Sequence, residues 1–208
     1  QFITDLDRSI LAWAQQVIGT SPILDTFFVV VGQWLVYFVP LALPAAWLWL
    51  RYPAPFGTGR SARSVKDWAT ERIYLIEFAL AGVLGWQVIS RIIKLFYFRP
   101  RPSVAGENVK ELFFHRPDES FPSDHAALFF GFATYAYLLG WRTVGHWLLL
   151  AAILVSTSRI VTGTHWFTDI LGGLVIGLLS AGIVWWLRVP IQRYIAEPLE
   201  TFLSKIGL

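Results

Sequence analysis

The sequence predicts an all-α protein: a polytopic membrane helix bundle of five spans plus an N-terminal interfacial helix, six helices in total. Three observations carry that prediction. Charged residues make up 15% of the 208, against roughly 25% in an ordinary soluble domain. Hydrophobic residues reach 55%, with 11 Trp and 16 Phe, and the mean hydropathy is +0.54. The apolar residues fall in continuous runs, without the alternation of a membrane-barrel strand. This composition excludes a soluble globular domain and intrinsic disorder alike. The length suits one domain over residues 1–208, with no internal repeat or low-complexity tract.

The first element is the interfacial helix. Phe2, Leu6, Ile10, Trp13, Ala14 and Val17 recur near helical spacing, and Asp5, Asp7, Arg8, Gln15 and Gln16 mark a polar side. The stretch lacks the basic n-region and long apolar h-region of a cleaved signal peptide. The chain starts at Gln1 without Met, so further N-terminal sequence is expected. A span needs about 20 mostly apolar residues to cross a hydrocarbon core of about 30 Å. Five segments fit: Thr26–Leu50, bent at Pro40 and Pro44; Ile73–Phe98; Ser123–Leu139; Thr143–Val161; and Trp166–Leu187. The third is short, so its first turn is expected at the interface or in a cavity. Gly173 and Gly177 form a GxxxG in the fifth, which suits close helix packing.

Five spans put the termini on opposite sides. Arg51, Arg60, Arg63, Lys66 and Arg72, then Arg142, then Arg188, Arg193 and Lys205 share one face, which the positive-inside rule makes cytoplasmic. The opposite face carries Lys94, Arg99, Arg101, Lys110, Arg116 and Arg159. The net charge of +3 therefore belongs to residues flanking apolar runs and not to a nucleic-acid surface. The absence of cysteine excludes disulfides, thiolate metal sites and cysteine nucleophiles.

Three polar clusters gather at span ends on that opposite face: Lys94 with Arg101; Ser123, Asp124 and His125; and Ser158 and Arg159 with His165 and Asp169. Each has a plain structural reading by itself. Lys94 and Arg101 could be snorkelling anchors. Ser123 could be only an N-cap with an acid in the first turn after it. His165 and Asp169, four apart, could be a satisfied pair between helices. None of these readings predicts that all three clusters share a face, and ionisable groups at membrane depth usually mark function.

Together the residues suit phosphoryl transfer. Lys94, Arg101 and Arg159 are cationic donors for a phosphate, and the N-terminus of the third span is a ready anion site to which Ser123 adds a hydroxyl. A neutral histidine is a competent nucleophile at phosphorus, an acid one turn away can fix its tautomer, and a second, protonated histidine can donate to the leaving oxygen. Acids and histidines surrounded by Lys and Arg make a poor cation cage, so no metal is expected.

Lys94 to Pro102 reads KxxxxxxRP, Pro122 to His125 reads PSDH, and Ser158 to Asp169 reads SRxxxxxHxxxD. In order, these resemble the three-part signature of the phosphatidic acid phosphatase type 2 superfamily. That resemblance implies that Lys94, Arg101, Arg159, Ser123 and the backbone N–H of Asp124 bind the phosphoryl oxygens. It also implies that His165 attacks phosphorus and forms a phosphohistidine, that Asp169 orients it, and that His125 protonates the leaving group and then helps water cleave the intermediate. No cofactor or metal is implied. The family's commonest second motif has glycine where this chain has Asp124, so only the backbone role of that position carries over. The PSDH form and the compact chain look like the bacterial bacitracin-resistance type of undecaprenyl-diphosphate phosphatase.

The expected activity is thus hydrolysis of a lipid phosphate or diphosphate at the outer face of a bacterial plasma membrane, with undecaprenyl diphosphate as first candidate. Phosphatidylglycerol phosphate, phosphatidate and lipid A phosphate are the alternative substrates, phosphotransfer the alternative reaction, and a membrane transporter the non-enzymatic alternative. The partners expected are the lipid substrate and the bilayer, with no nucleic acid. Glu107, Glu111, Asp118 and Glu119 are read as keeping the loop over the site solvated, with head-group selection as the alternative, and His115 in the same loop as solvated rather than catalytic. Glu77 is expected to pair with a nearby cation such as Arg72, His146 to lie away from the site, and Trp166 to wall it.

Overall fold

The structure, a computed structural model, describes residues 2–51, 65–105, 109–110, 112 and 119–206, all helix, turn or irregular chain with no strand among them. Arg60, Arg63, Glu107, Glu111, His115, Arg116 and Asp118 lie outside the described residues. Helix α1 spans Phe2–Ala14, and α2 spans Pro22–Val29. A π turn at Val30–Trp34 and a 3-10 turn at Leu35–Phe38 lead into α3, Val39–Arg51. Helix α4, Val65–Val83, continues through a π turn at Leu84–Ile89 into α5, Ser90–Phe96. Then come α6 (Asp124–Leu138), α7 (Arg142–Val161) and α8 (Phe167–Trp186).

Ala69–Phe96, Arg142–Val161 and Phe167–Trp186 are each long and apolar enough to cross a bilayer. Pro22–Phe38 and Leu41–Trp49 meet at 48° and make a fourth such stretch if counted as one bent span. The break falls at residues 39–40, where Pro40 lacks the N–H that would continue the ladder, whereas Pro44 is absorbed inside α3. The 15 residues of α6 rise only about 22 Å, shorter than a bilayer core.

That short helix is the centre of the bundle. Its Ala126, Ala127, Leu128, Phe132, Tyr135 and Ala136 are almost wholly buried. It lies close to α8 because the GxxxG glycines leave no room for side chains. A Cβ on Gly173 would sit 2.6 Å from Ala126 Cβ and from the Ser123 carbonyl oxygen, and one on Gly177 would sit 2.7 Å from the Gly131 nitrogen. On the α4 side, Phe78 stacks on Phe132 with ring centroids 4.6 Å apart. The outer helix faces stay apolar, with Ile23, Leu95, Phe96 and Trp186 strongly exposed, as a hydrocarbon surround requires.

Helix α1 corrects the expectation of a single polar side. Its Leu11 and Ala14 pack inward, together with Asp7 and Gln15, while Ile3, Leu6 and Trp13 face out. Asp5, Arg8 and Gln16 remain exposed. Gln15 donates to the Val161 carbonyl (2.6 Å) and accepts from the Lys110 N–H (2.8 Å), which pins the helix to α7 and to the loop over the site.

The tail adds helices the sequence left unassigned: α9 (Arg188–Ile191), a π turn (Gln192–Ala196) and α10 (Glu197–Lys205). Glu77, expected to meet a cation, accepts hydrogen bonds from the Tyr135 hydroxyl (2.7 Å) and the Gln192 amide (2.6 Å) instead. Arg72 bonds Glu200 and, at 3.0 Å, Ser204. The tail thus supplies the partners that local sequence could not.

Candidate active site

Four helix ends bring the three clusters to one place. Lys94 lies in the last turn of α5, and the chain then runs extended through Arg99 and Arg101. Ser120 N–H donates to the Arg99 carbonyl (2.8 Å), and the Trp166 indole donates to the Pro100 carbonyl (2.9 Å), so this strip is clamped from both sides. Trp166 is buried with the guanidinium of Arg99 5.3 Å from its ring.

His165 owes its place to the end of α7. Gly163 takes φ +68, the left-handed conformation that ends helices and favours glycine. A Cβ there would also fall 2.1 Å from Val109 Cγ1. The reversal lets the N–H groups of Thr164 and His165 both reach the Arg159 carbonyl, at 3.1 and 3.2 Å. The nucleophile candidate is therefore tied to the backbone of a phosphate-binding candidate six residues earlier. Gly32, in the π turn before α3, offers its carbonyl to the Arg159 guanidinium at 3.2 Å.

The imidazole of His165 is 2% exposed. Its Nε2 lies 3.3 Å from the Arg101 guanidinium, which also donates to the Thr164 carbonyl at 2.6 Å. Its Nδ1 faces Asp169 Oδ2 at 3.5 Å. Burial lowers the basicity of His165 well below that of an ordinary histidine, and the charges of Arg101, Arg159, His125 and Lys94 lower it further. The ring is consequently neutral near pH 7, with Nε2 directed at the cationic groups. All of the signature cations act on this one ring, although they come from two separate stretches of chain.

Ser123 and Asp124 behave differently from the simple N-cap reading. Ser123 starts α6, yet its hydroxyl makes no capping bond, is buried, and has no hydrogen-bond partner. Leaving a buried hydroxyl unsatisfied costs about 1–3 kcal/mol, and this oxygen has hydrogen-bonding capacity that no described residue uses. The Ser123 N–H donates to the Asp169 carbonyl at 3.1 Å, joining the starts of α6 and α8. Asp124 Oδ2 accepts from the Lys94 ammonium at 2.6 Å. The carboxylate that replaces glycine in the second motif is thus paired rather than left against an anion site.

Two contributors were missed. Arg99 was read only as one of the outer-face cations and Asp7 only as part of a polar helix side. In the structure Arg99 donates to Asp169 Oδ1 (2.6 Å) and to Asp7 Oδ2 (2.5 Å). Burial works against the charge of Arg99, but Asp169 and Asp7 outweigh it and raise its basicity. The one available signal was the acid at position 7 within an otherwise apolar helical face. His146 is exposed near the start of α7, at the far end of that helix from Arg159.

Residues 73–193, more than half of the chain, match the PAP2 superfamily. The chain is 30% identical to the bacitracin transport permease protein BcrC of Bacillus licheniformis over 171 residues, which is 82% of this chain and 74% of that protein. It is 32% identical to undecaprenyl-diphosphatase BcrC of Bacillus subtilis (strain 168) over 159 residues, 76% of this chain and 72% of that one. The crystal structure of Aquifex aeolicus LpxE is similar, with a TM-score of 0.61 at 25% identity, covering 89% of this chain and 95% of that chain.

Proposed function

The chain belongs to the PAP2 superfamily and is a membrane lipid phosphatase, and from that premise we propose that it hydrolyses undecaprenyl diphosphate to undecaprenyl phosphate at the outer face of a bacterial plasma membrane. One observation carries the chemistry: a buried, neutral imidazole whose Nε2 faces Arg101, with Arg159, Lys94 and His125 close enough to act on its charge. The choice of lipid is supported by the undecaprenyl-diphosphatase relative at 32% identity. The outer-face assignment rests on the basic residues at the opposite helix ends.

In the proposed reaction Arg101, Arg159 and Lys94, with the Ser123 hydroxyl and the first N–H groups of α6, hold the terminal phosphoryl oxygens. His165 Nε2 attacks phosphorus as the bond to the bridging oxygen breaks. His125 gives its proton to that oxygen, and the lipid monophosphate leaves. Water then attacks the phosphohistidine, His125 takes its proton, and the P–N bond breaks to release phosphate. Most of the acceleration comes from positioning and from fixed donors around charge that develops on oxygen. The carboxylates are committed to cations, Asp124 to Lys94 and Asp169 to Arg99, which leaves poor ligands for a divalent ion.

A transport reading would need a path of charges along the spans, whereas the signature side chains converge at one end and the buried charges at the other end are paired or hydrogen-bonded among themselves. The test measures phosphate release by purified protein in detergent from undecaprenyl diphosphate, phosphatidylglycerol phosphate and phosphatidate, with and without excess chelator. The expected result is fastest release from undecaprenyl diphosphate, unaffected by chelator, and a loss of more than about 10⁴-fold in His165→Ala. Equal rates on all three lipids would remove the substrate assignment, and near-normal turnover of His165→Ala would remove the nucleophile.

A further inference from the structure

We propose that Asp7, Arg99 and Asp169 form a carboxylate–guanidinium–carboxylate brace that positions Asp169 against the His165 imidazole, so that the N-terminal helix is a working part of the active site. The inference rests on the reading of His165 as nucleophile and extends it to two positioning residues outside the three signature motifs.

Each member of the brace is held by named hydrogen bonds, and Asp169 Oδ2 lies 3.5 Å from His165 Nδ1. One Arg99 nitrogen donates to Asp169 Oδ1 at 2.6 Å and to the Thr168 hydroxyl at 2.7 Å, and the other donates to Asp7 Oδ2 at 2.5 Å. Asp169 Oδ2 accepts the Trp166 N–H at 2.8 Å. Both carboxylate oxygens of Asp169 are thereby anchored, which fixes the rotation that presents Oδ2 to His165 Nδ1. The Nδ1–H tautomer is the one that meets a carboxylate, and it leaves the Nε2 lone pair for phosphorus. Asp7 also accepts the Thr168 N–H (2.9 Å) and hydroxyl (2.6 Å), closing the brace onto the first turn of α8.

Burying these ions is costly. Asp7 is 1% exposed and Asp169 0%, and each desolvated ion carries a penalty of several kcal/mol before pairing. Docking of α1 does not require them, because Leu11, Ala14 and Ile18 pack inward and Gln15 bonds the Val161 carbonyl. Charge balance supplies a reason for the third member. Arg99 alone would neutralise Asp169 and leave little field to stabilise the positive charge that the ring gains as Nε2 bonds to phosphorus. Asp7 restores a net negative charge to the trio.

The groups facing the His165 ring are Asp169 from α8, Arg101 and Lys94 from the α5 end, Arg159 from α7 and His125 from α6. Removing a negative charge behind Asp169 makes the ring harder to protonate, and removing a positive one makes it easier. The two members of the brace therefore have opposite predicted effects on the acid limb of the pH–rate profile. Damage to packing, or loss of a cap on α8, has no reason to act in opposite directions.

The test uses the full chain in detergent, with kcat, KM and the pH dependence of kcat/KM measured on the lipid diphosphate. Asp7→Asn and Arg99→Gln are each expected to lower kcat by about 10- to 100-fold with KM within about twofold. Asp7→Asn moves the acid limb to lower pH and Arg99→Gln moves it to higher pH, while Arg99→Lys recovers part of the loss in Arg99→Gln. If Asp7→Asn does not fold, Asp7→Ser, which keeps a hydroxyl for Thr168 and loses the charge, carries the same prediction. Unchanged kcat, an unmoved acid limb, or shifts of both variants in one direction would overturn the brace. His165→Asn is run alongside: retained turnover there removes the underlying reading, whereas loss of turnover with a wild-type Asp7→Asn profile removes the brace alone.

Discussion

The two ends of the bundle both bury ionised side chains, but they dispose of them differently. At the tail end, Glu77 is held by Tyr135 and Gln192, and Arg72 by Glu200 and Ser204. Arg188 lies over the ring of Trp185. Most donors and acceptors there meet one another, although the Trp47 indole N–H is buried without a hydrogen bond, and the adjoining cavity of about 330 Å³, between α3, α4 and α10, is apolar. At the other end four cations, Lys94, Arg99, Arg101 and Arg159, gather with three carboxylates, Asp7, Asp124 and Asp169, and with His125 and His165. The Ser123 hydroxyl and His165 Nδ1 are buried there without a hydrogen bond. Burial of charge therefore does not mark the site by itself. Surplus positive charge converging on one buried imidazole does.

The sharpest way to break that contrast is to remove one arginine from each end. Arg101→Ala deletes a donor beside His165 Nε2 and is expected to lower kcat/KM by about 10²–10³-fold. Arg72→Ala breaks a buried pair and is expected to lower the unfolding temperature while the turnover of folded enzyme stays within about twofold. Thermal unfolding in detergent and initial-rate assays on both variants check this. A comparable fall in turnover for Arg72→Ala would mean that the two ends are not functionally distinct.

Glu77 provides a milder version of the same comparison. Glu77→Leu leaves the Tyr135 hydroxyl and the Gln192 amide without their acceptor, at a cost of about 1–3 kcal/mol for each buried group. Glu77→Gln keeps one acceptor oxygen and should recover part of that loss. Neither change is expected to alter the rate per folded molecule, because Glu77 lies at the tail end, bonded to Tyr135 and Gln192 and away from the candidate site. Thermal unfolding of both variants, with phosphate release normalised to folded protein, makes the measurement.

Much of this was legible in the sequence for a physical reason. The long helices announce themselves through continuous apolar runs, and the three clusters through ionisable residues placed at the ends of those runs. What was hidden follows from the same solvent. In a hydrocarbon surround both the core and the outer surface are apolar, so composition did not show that α6 is central and α2 and α3 peripheral. The same effect inverted part of α1: Ile3, Leu6 and Trp13 face outward, and the polar Asp7 and Gln15 turn in. Arg99 looked like one more flanking cation because its partners lie 92 and 70 residues away along the chain. Helix α10 carries too many charges to read as a span, yet its Glu200 anchors Arg72. Motif spacing brought out the groups proposed to hold the phosphate, while the groups that support them became visible only with the fold.

The smallest expected effect concerns the departure from the usual motif. Asp124 occupies the position of a glycine, and its carboxylate holds Lys94 at 2.6 Å while the two side chains remain 30% and 17% exposed. A pair that is partly solvated is worth little in stability, typically below about 1 kcal/mol, but in the proposed reaction it competes directly with a phosphate for the same ammonium. Asp124→Gly should free Lys94 and tighten inhibition by inorganic phosphate by about two- to fivefold. Asp124→Asn removes the charge while keeping the side chain, and should reproduce most of that change. Product-inhibition constants for the three proteins decide it. If neither variant binds phosphate more tightly, Lys94 is not shared between carboxylate and phosphate, and the surplus positive charge at this end resides in Arg101 and Arg159.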